Sequence, residues 1–192
     1  MKCATFFALS VIIFHPGLVV AEEGASLEAQ DPVKLVRSKG PDPDLIVREE
    51  SIAGAIIRLT VVSKKLGSVI FATESDMGMA SRLKRWEWKD VNGDDKPELL
   101  LWMDENFGKA RESKLRILEL QQADLVLNDV ALIPYSRSPG QTYPPQDGYE
   151  GTLEFNPQEK TISWRSTGES KRAPKATMWT WNPQRQVFSP NN

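Results

Sequence analysis

Beyond residue 44, apolar and polar residues alternate with a period of two. That is the pattern of strands with one face buried and one face wet. Residues 55–62 alternate and are rich in β-branched side chains, residues 63–67 read as a turn, and residues 68–73 return. Residues 82–89 alternate again, with Trp86 and Trp88 on one face. Residues 99–103 are continuously apolar, which predicts a central strand buried on both faces. A polar connection is expected over 104–113. Two further strands follow, 114–120 and 125–133, around a turn at 121–124. No segment sustains a helical period, and only 75–83 has room for a single helical turn. The expected fold is all-β: an antiparallel meander of hairpins, propeller-like or sandwich.

The C-terminal part carries an internal echo. Phe155-Asn156-Pro157-Gln158 and Trp181-Asn182-Pro183-Gln184 are two aromatic-Asn-Pro-Gln turns, 26 residues apart. Each joins two short β-patterned runs. Repeated hairpins suit a meander or a stack of small sheets, and Asn-Pro is also an ordinary way to start a turn.

Between the strands at 82–89 and 99–103 lies Asp90-Val91-Asn92-Gly93-Asp94-Asp95-Lys96-Pro97-Glu98. Asp90, Asn92, Asp94 and Glu98 place oxygen-bearing side chains at the first, third, fifth and ninth positions, and the Lys96 carbonyl falls at the seventh. Ca2+ takes six to eight oxygens at about 2.3–2.6 Å, and alternate residues of a tight loop can aim them at one point. Gly93 permits the winding. The run is not an EF-hand: Leu101 stands where the bidentate Glu would be, and strand rather than helix follows. Asp95 occupies the position usually held by Gly. Asp adopts the left-handed conformation more readily than most residues. A polar β-turn that binds nothing is the alternative.

These thirteen residues, Asp90 to Trp102, resemble the D-x-[DN]-G-D-G-x-x-[DE]-L signature of FG-GAP and VCBS-type repeats. The resemblance implies a calcium-loop β-propeller-like protein. Among small single-domain members, the chain is similar to periplasmic lysozyme-inhibitor or immunity proteins. That likeness implies a protein partner, a lysozyme-like hydrolase, inhibited by a rigid loop.

The N-terminus is expected to be a signal peptide over 1–21: Lys2, an apolar stretch from Cys3 to Phe14, a break at Pro16-Gly17, and Val19-Val20-Ala21 before the cut. A periplasmic or secreted location follows, with a flexible arm over 22–43 and one β domain over 44–190. The single cysteine, Cys3, and the single histidine, His15, would leave with the peptide. A mature chain without them has no disulfide, no Cys or His nucleophile and no ordinary zinc site. The formal charge of −2 is scattered without a basic stripe, so nucleic acid is not an expected partner. No membrane span is expected after cleavage.

All three tyrosines fall within 134–149, a stretch expected to be a long loop. Tyr135, Arg137 and Tyr143 are the expected partner-binding residues, because Tyr and Arg dominate binding hot spots. The six tryptophans sit in β-patterned runs, where core packing is the simpler role, although exposed indoles would stack on envelope polysaccharide. For catalysis only carboxylates, Ser, Tyr and Lys remain. Glu87, Asp104 and Glu105 are candidates without distinctive spacing. The expected function is therefore an exported, non-catalytic, calcium-binding domain that binds a macromolecule. The alternative is a carboxylate- or metal-dependent hydrolase of envelope polysaccharide or phosphoester.

Overall fold

The chain divides into two units, Met1–Gln30 and Asp31–Asn192. The computed structural model describes residues 33–53, 55–74, 81–107, 110–121, 123–138, 148–167 and 173–191, all in the second unit. The expected signal peptide lies outside them.

Twelve strands follow in order: β1 (Lys34–Lys39), β2 (Leu45–Ile52), β3 (Ala55–Ser63), β4 (Ser68–Glu74), β5 (Ser81–Lys89), β6 (Glu98–Phe107), β7 (Ala110–Gln121), β8 (Val126–Arg137), β9 (Tyr149–Asn156), β10 (Thr161–Ser166), β11 (Met178–Asn182) and β12 (Val187–Pro190). Each pairs antiparallel with its sequence neighbours, except that β4 and β5 belong to different sheets. The result is a four-stranded sheet β1–β4 and an eight-stranded sheet β5–β12. Among the described residues there is no helix, so the all-β meander is the observed architecture, and it does not close into a barrel.

Strands β5–β8 form a layer covered on both faces. Leu99 and Leu101 of β6 pack with Leu45 and Val47 of β2 and with Leu59 and Val61 of β3. Leu100 and Trp102, on the opposite face of β6, pack with Ile162 of β10, Trp179 of β11 and Phe188 of β12. Successive side chains of a strand point to opposite faces, so the apolar run of β6 feeds two cores at once. Leu99, Leu100 and Leu101 are all 0 % exposed. Each contributes roughly 1.5–3 kcal/mol by leaving water. Among the described residues two pairs, Ser136–Glu150 and Arg137–Tyr149, join β8 to β9. The chain turns at this short seam, and β10–β12 return over the face of β6–β8.

The structure redraws several boundaries. Lys34–Lys39, inside the segment expected to be a flexible arm, is strand β1, paired with β2 from Lys34–Ser51 to Lys39–Ile46. Its prolines flank the strand rather than interrupt it. The polar stretch 104–113 is largely strand: β6 continues to Phe107 and β7 starts at Ala110. Ion pairs replace apolar contacts there, Lys114 with Glu105 and Glu112, and Arg111 with Asp104. Strand β8 runs on to Arg137, so Tyr135 and Arg137 are strand residues and not loop residues. The described tryptophans all serve the cores: Trp86 and Trp88 one, Trp102, Trp164, Trp179 and Trp181 the other.

The two Asn-Pro-Gln turns adopt one geometry. Asn156 Oδ1 accepts from the Glu159 N–H at 3.2 Å, and Asn182 Oδ1 accepts from the Arg185 N–H at 3.0 Å. Each turn ends on a residue of positive φ, Lys160 at 54° and Gln186 at 51°. The sequence echo is a repeated turn.

Candidate metal centre

The loop at 90–98 links the end of β5 to the start of β6, and its own side chains wind it. Asp90 Oδ1 accepts from the Gly93 N–H at 2.7 Å, and Asp90 Oδ2 accepts from the Asp95 N–H at 3.0 Å. Asn92 Oδ1 accepts from Asp94 N–H at 3.0 Å, and Asp94 Oδ1 accepts from Lys96 N–H at 2.9 Å. Asx bonds of this kind tighten a loop without secondary structure. Gly93 takes φ 71° and Asp95 takes φ 65°. The residue standing where Gly is usual thus adopts the left-handed conformation that the position requires.

Carboxylate oxygens of Asp90, Asp94 and Glu98 lie within 4.8 Å of one another. Glu98 is the unusual member. It is 1 % exposed, and it begins a strand whose next three residues are core leucines. Its Oε2 accepts from the Val91 N–H at 2.8 Å, while its buried Oε1 has no hydrogen-bond partner among the described residues. Burial pushes the Glu98 carboxyl up to about 8, and the charges of Asp94 and Asp90 push the same way, while the Val91 bond opposes them. A buried carboxylate without a counter-charge is costly. Either a proton or a cation must meet that cost.

The donor set fits a hard cation. Every side-chain candidate is oxygen, each carboxylate retains lone pairs beyond the N–H bonds it accepts, and Glu98 Oε1 is unclaimed. Oxygen-only sites suit hard cations such as Ca2+, Mg2+ and Mn2+. Asn92 is 1 % exposed and Lys96 sits on the exposed rim. The five residues expected from sequence therefore share one loop, with the three carboxylates gathered.

One neighbour was not foreseen. Glu119 of β7 sits one step beyond the Leu99–Leu118 pair, across the strand from Glu98. Burial raises its carboxyl, Asp94 adds to the rise, and Lys96 opposes it. Glu98 and Glu119 line the same hollow of about 250 Å³, with Asp42 and Asp95 on its walls. Only the β6–β7 register reveals this closeness.

The other expected residues lie elsewhere. Tyr135 packs half-buried against the core of Trp102 and Ile162. Arg137 pairs in register with Tyr149, and its charge acts on the Tyr149 phenol. Tyr143 lies outside the described residues. Asp104 and Glu105 are held by different partners. Ser113 Oγ and Arg111 bind Asp104, and Lys114 binds Glu105.

Compared with known proteins, the chain matches no family model, no curated protein and no solved structure.

Proposed function

We propose that this protein is an exported, non-catalytic β-domain that binds Ca2+ through Asp90, Asn92, Asp94, the Lys96 carbonyl and Glu98, and that it acts by binding a macromolecular partner. The observation that carries the reading is Glu98: a buried carboxylate with one oxygen unpartnered, beside two further carboxylates. A bound cation would remove the repulsion among the three acids and replace the missing partner of Oε1. It would fix the junction of β5 and β6, and so the layer between the two cores. The resemblance of Asp90 to Trp102 to the FG-GAP and VCBS signature favours the same ion. It also supports the narrower reading, an inhibitor of a cell-wall-degrading enzyme in the periplasm.

The test is a melt of the protein followed by tryptophan fluorescence, in chelator and then in millimolar Ca2+. A ligand that binds only the folded state stabilises it by RT ln(1 + [L]/Kd), about 2.7 kcal/mol at 100 times Kd. A rise of several degrees that Asp94→Ala removes is the expected result. An identical melt in both conditions refutes the ion. Capture of a purified lysozyme-type hydrolase, with inhibition of its activity, then tests the partner.

A further inference from the structure

A second site, sharing no residue with the acidic loop, lies where β5, β6, β8 and β9 meet. Its origin is an irregularity in β5. The β5–β6 register runs Leu83–Met103 and then Arg85–Trp102, so Lys84 is an inserted residue opposite no partner of its own. Neighbouring residues of a regular strand point to opposite faces, and a bulge breaks that rule and re-aims a side chain. Here Lys84 and Arg85, adjacent in sequence, both line one pocket of about 370 Å³. Trp102, Tyr135, Leu153 and Phe155 supply its apolar walls.

Among the described residues no carboxylate lines this pocket, although the chain as a whole is slightly acidic. The Arg85 guanidinium stacks on the Trp102 ring at 3.8 Å. Among the described residues Arg85 has no carboxylate within ion-pair distance. Stacking holds the plane of the guanidinium while leaving its N–H edge free for a planar, bidentate anion. Lys84 reaches the buried Asp104 at only 3.7 Å, and Arg111 and Ser113 already bind that carboxylate. The Tyr135 phenol lies near Ser113 and feels the charges of Asp104 and Arg85. The Lys89 ammonium lies 4.5 Å from the ring of Phe155, one of the wall residues.

We propose that this pocket binds a small carboxylic acid carried on a single ring, with the carboxylate held by Lys84 and Arg85 and the ring against Trp102, Leu153 and Phe155. The volume lies at the small end of ligand pockets, room for one ring and its acid group. Apolar walls with a few converging polar groups at one end give both affinity and orientation. An acidic sugar and an aromatic acid share this chemistry. The site does not depend on the ion at Asp90–Glu98, and loss of that reading leaves it standing.

Glucuronate and benzoate, with glucose and benzamide as neutral counterparts and inorganic phosphate as a bare anion, are titrated into the full chain. Tryptophan fluorescence and calorimetry follow binding. At least one of the two acids is expected to bind, with its neutral counterpart and phosphate at least tenfold weaker. Binding by glucuronate assigns an acidic sugar, and binding by benzoate an aromatic acid. Arg85→Gln and Lys84→Gln, both at exposed side chains and checked for an unchanged melt, are each expected to weaken the acid by roughly tenfold, the worth of one charge-assisted hydrogen bond. No binding of either acid at roughly millimolar concentration overturns the proposal. So does equal affinity for the neutral compounds or for phosphate, and so does unchanged affinity in both variants.

Discussion

Gly93 of the acidic loop lies directly against the carbonyl of Pro157, in the first Asn-Pro-Gln turn. A Cβ on Gly93 would overlap that oxygen. The oxygen has little freedom to yield, because it already accepts the Lys160 N–H at 3.2 Å to close its own turn. Two segments more than sixty residues apart thus pack directly against each other.

Gly93→Ala is therefore expected to destabilise for two additive reasons, the φ of 71° and the collision with Pro157. Left-handed backbone costs an L-residue about 1–2 kcal/mol and overpacking about 1–3 kcal/mol. Denaturant unfolding should show a loss of several kcal/mol. A loss under half a kcal/mol would mean that the loop and turn are not in contact.

Asp95 predicts the opposite sign. It holds φ 65° with an exposed side chain, and only its backbone N–H bonds Asp90. Asp95→Gly keeps that bond, relieves the backbone and removes one negative charge from the loop. A gain of about 0.5–1 kcal/mol in chelator is expected. A melt at or below that of the parent would show that the Asp95 side chain is needed.

Glu98 makes stability depend on pH in a definite direction. Its carboxyl is raised to about 8 in the folded protein, chiefly by burial. The folded state therefore holds a proton that the unfolded chain releases near the usual carboxylate value of 4.5. The stabilisation is fully present below that value. Without Ca2+ it is lost as pH rises towards 8, at about 1.4 kcal/mol per pH unit while both conditions hold. Glu98→Gln should flatten this slope in chelator melts from pH 5 to 8. Because Ca2+ requires the ionised form, its binding should tighten with pH and release a proton below about pH 8. A pH-independent calcium affinity in the parent would contradict the assignment of Glu98 as a ligand.

Gly151 probes the other end of the layer. A Cβ there would strike the Trp164 indole, whose Nε1 donates to the Tyr135 carbonyl at 2.8 Å. Gly151→Ala should cost about 1–3 kcal/mol through overpacking. It should also disturb the tryptophan emission, since Trp164 must move. An unchanged spectrum and melt would show that this wall yields freely.

The short-range features of this protein are legible in its sequence because local sterics fix them. Alternation with period two defined most strands, since the pleat dictates it. The apolar run Leu99–Leu100–Leu101 announced burial on both faces, and it is buried on both. The spacing of acidic residues from Asp90 to Glu98 is a property of one winding loop, so the gathering of three carboxylates followed from residue order alone. Both Asn-Pro-Gln turns were visible for the same reason.

Contacts between distant segments were decided only by the tertiary structure. Strand β1 reads as a polar arm because its partner, not its own apolar content, makes it a strand. Residues 104–113 read as a loop because ion pairs across β6 and β7 take the place of apolar alternation. Glu119 reaches the acidic loop through the β6–β7 register, and Gly93 meets Pro157 because the chain after the β8–β9 seam folds back so that β10–β12 cover the face of β6–β8. The bulge at Lys84 leaves no mark in the sequence, since only pairing with Trp102 shows which residue is extra. Register and layer order come from which faces bury together, and no window of neighbouring residues contains that information.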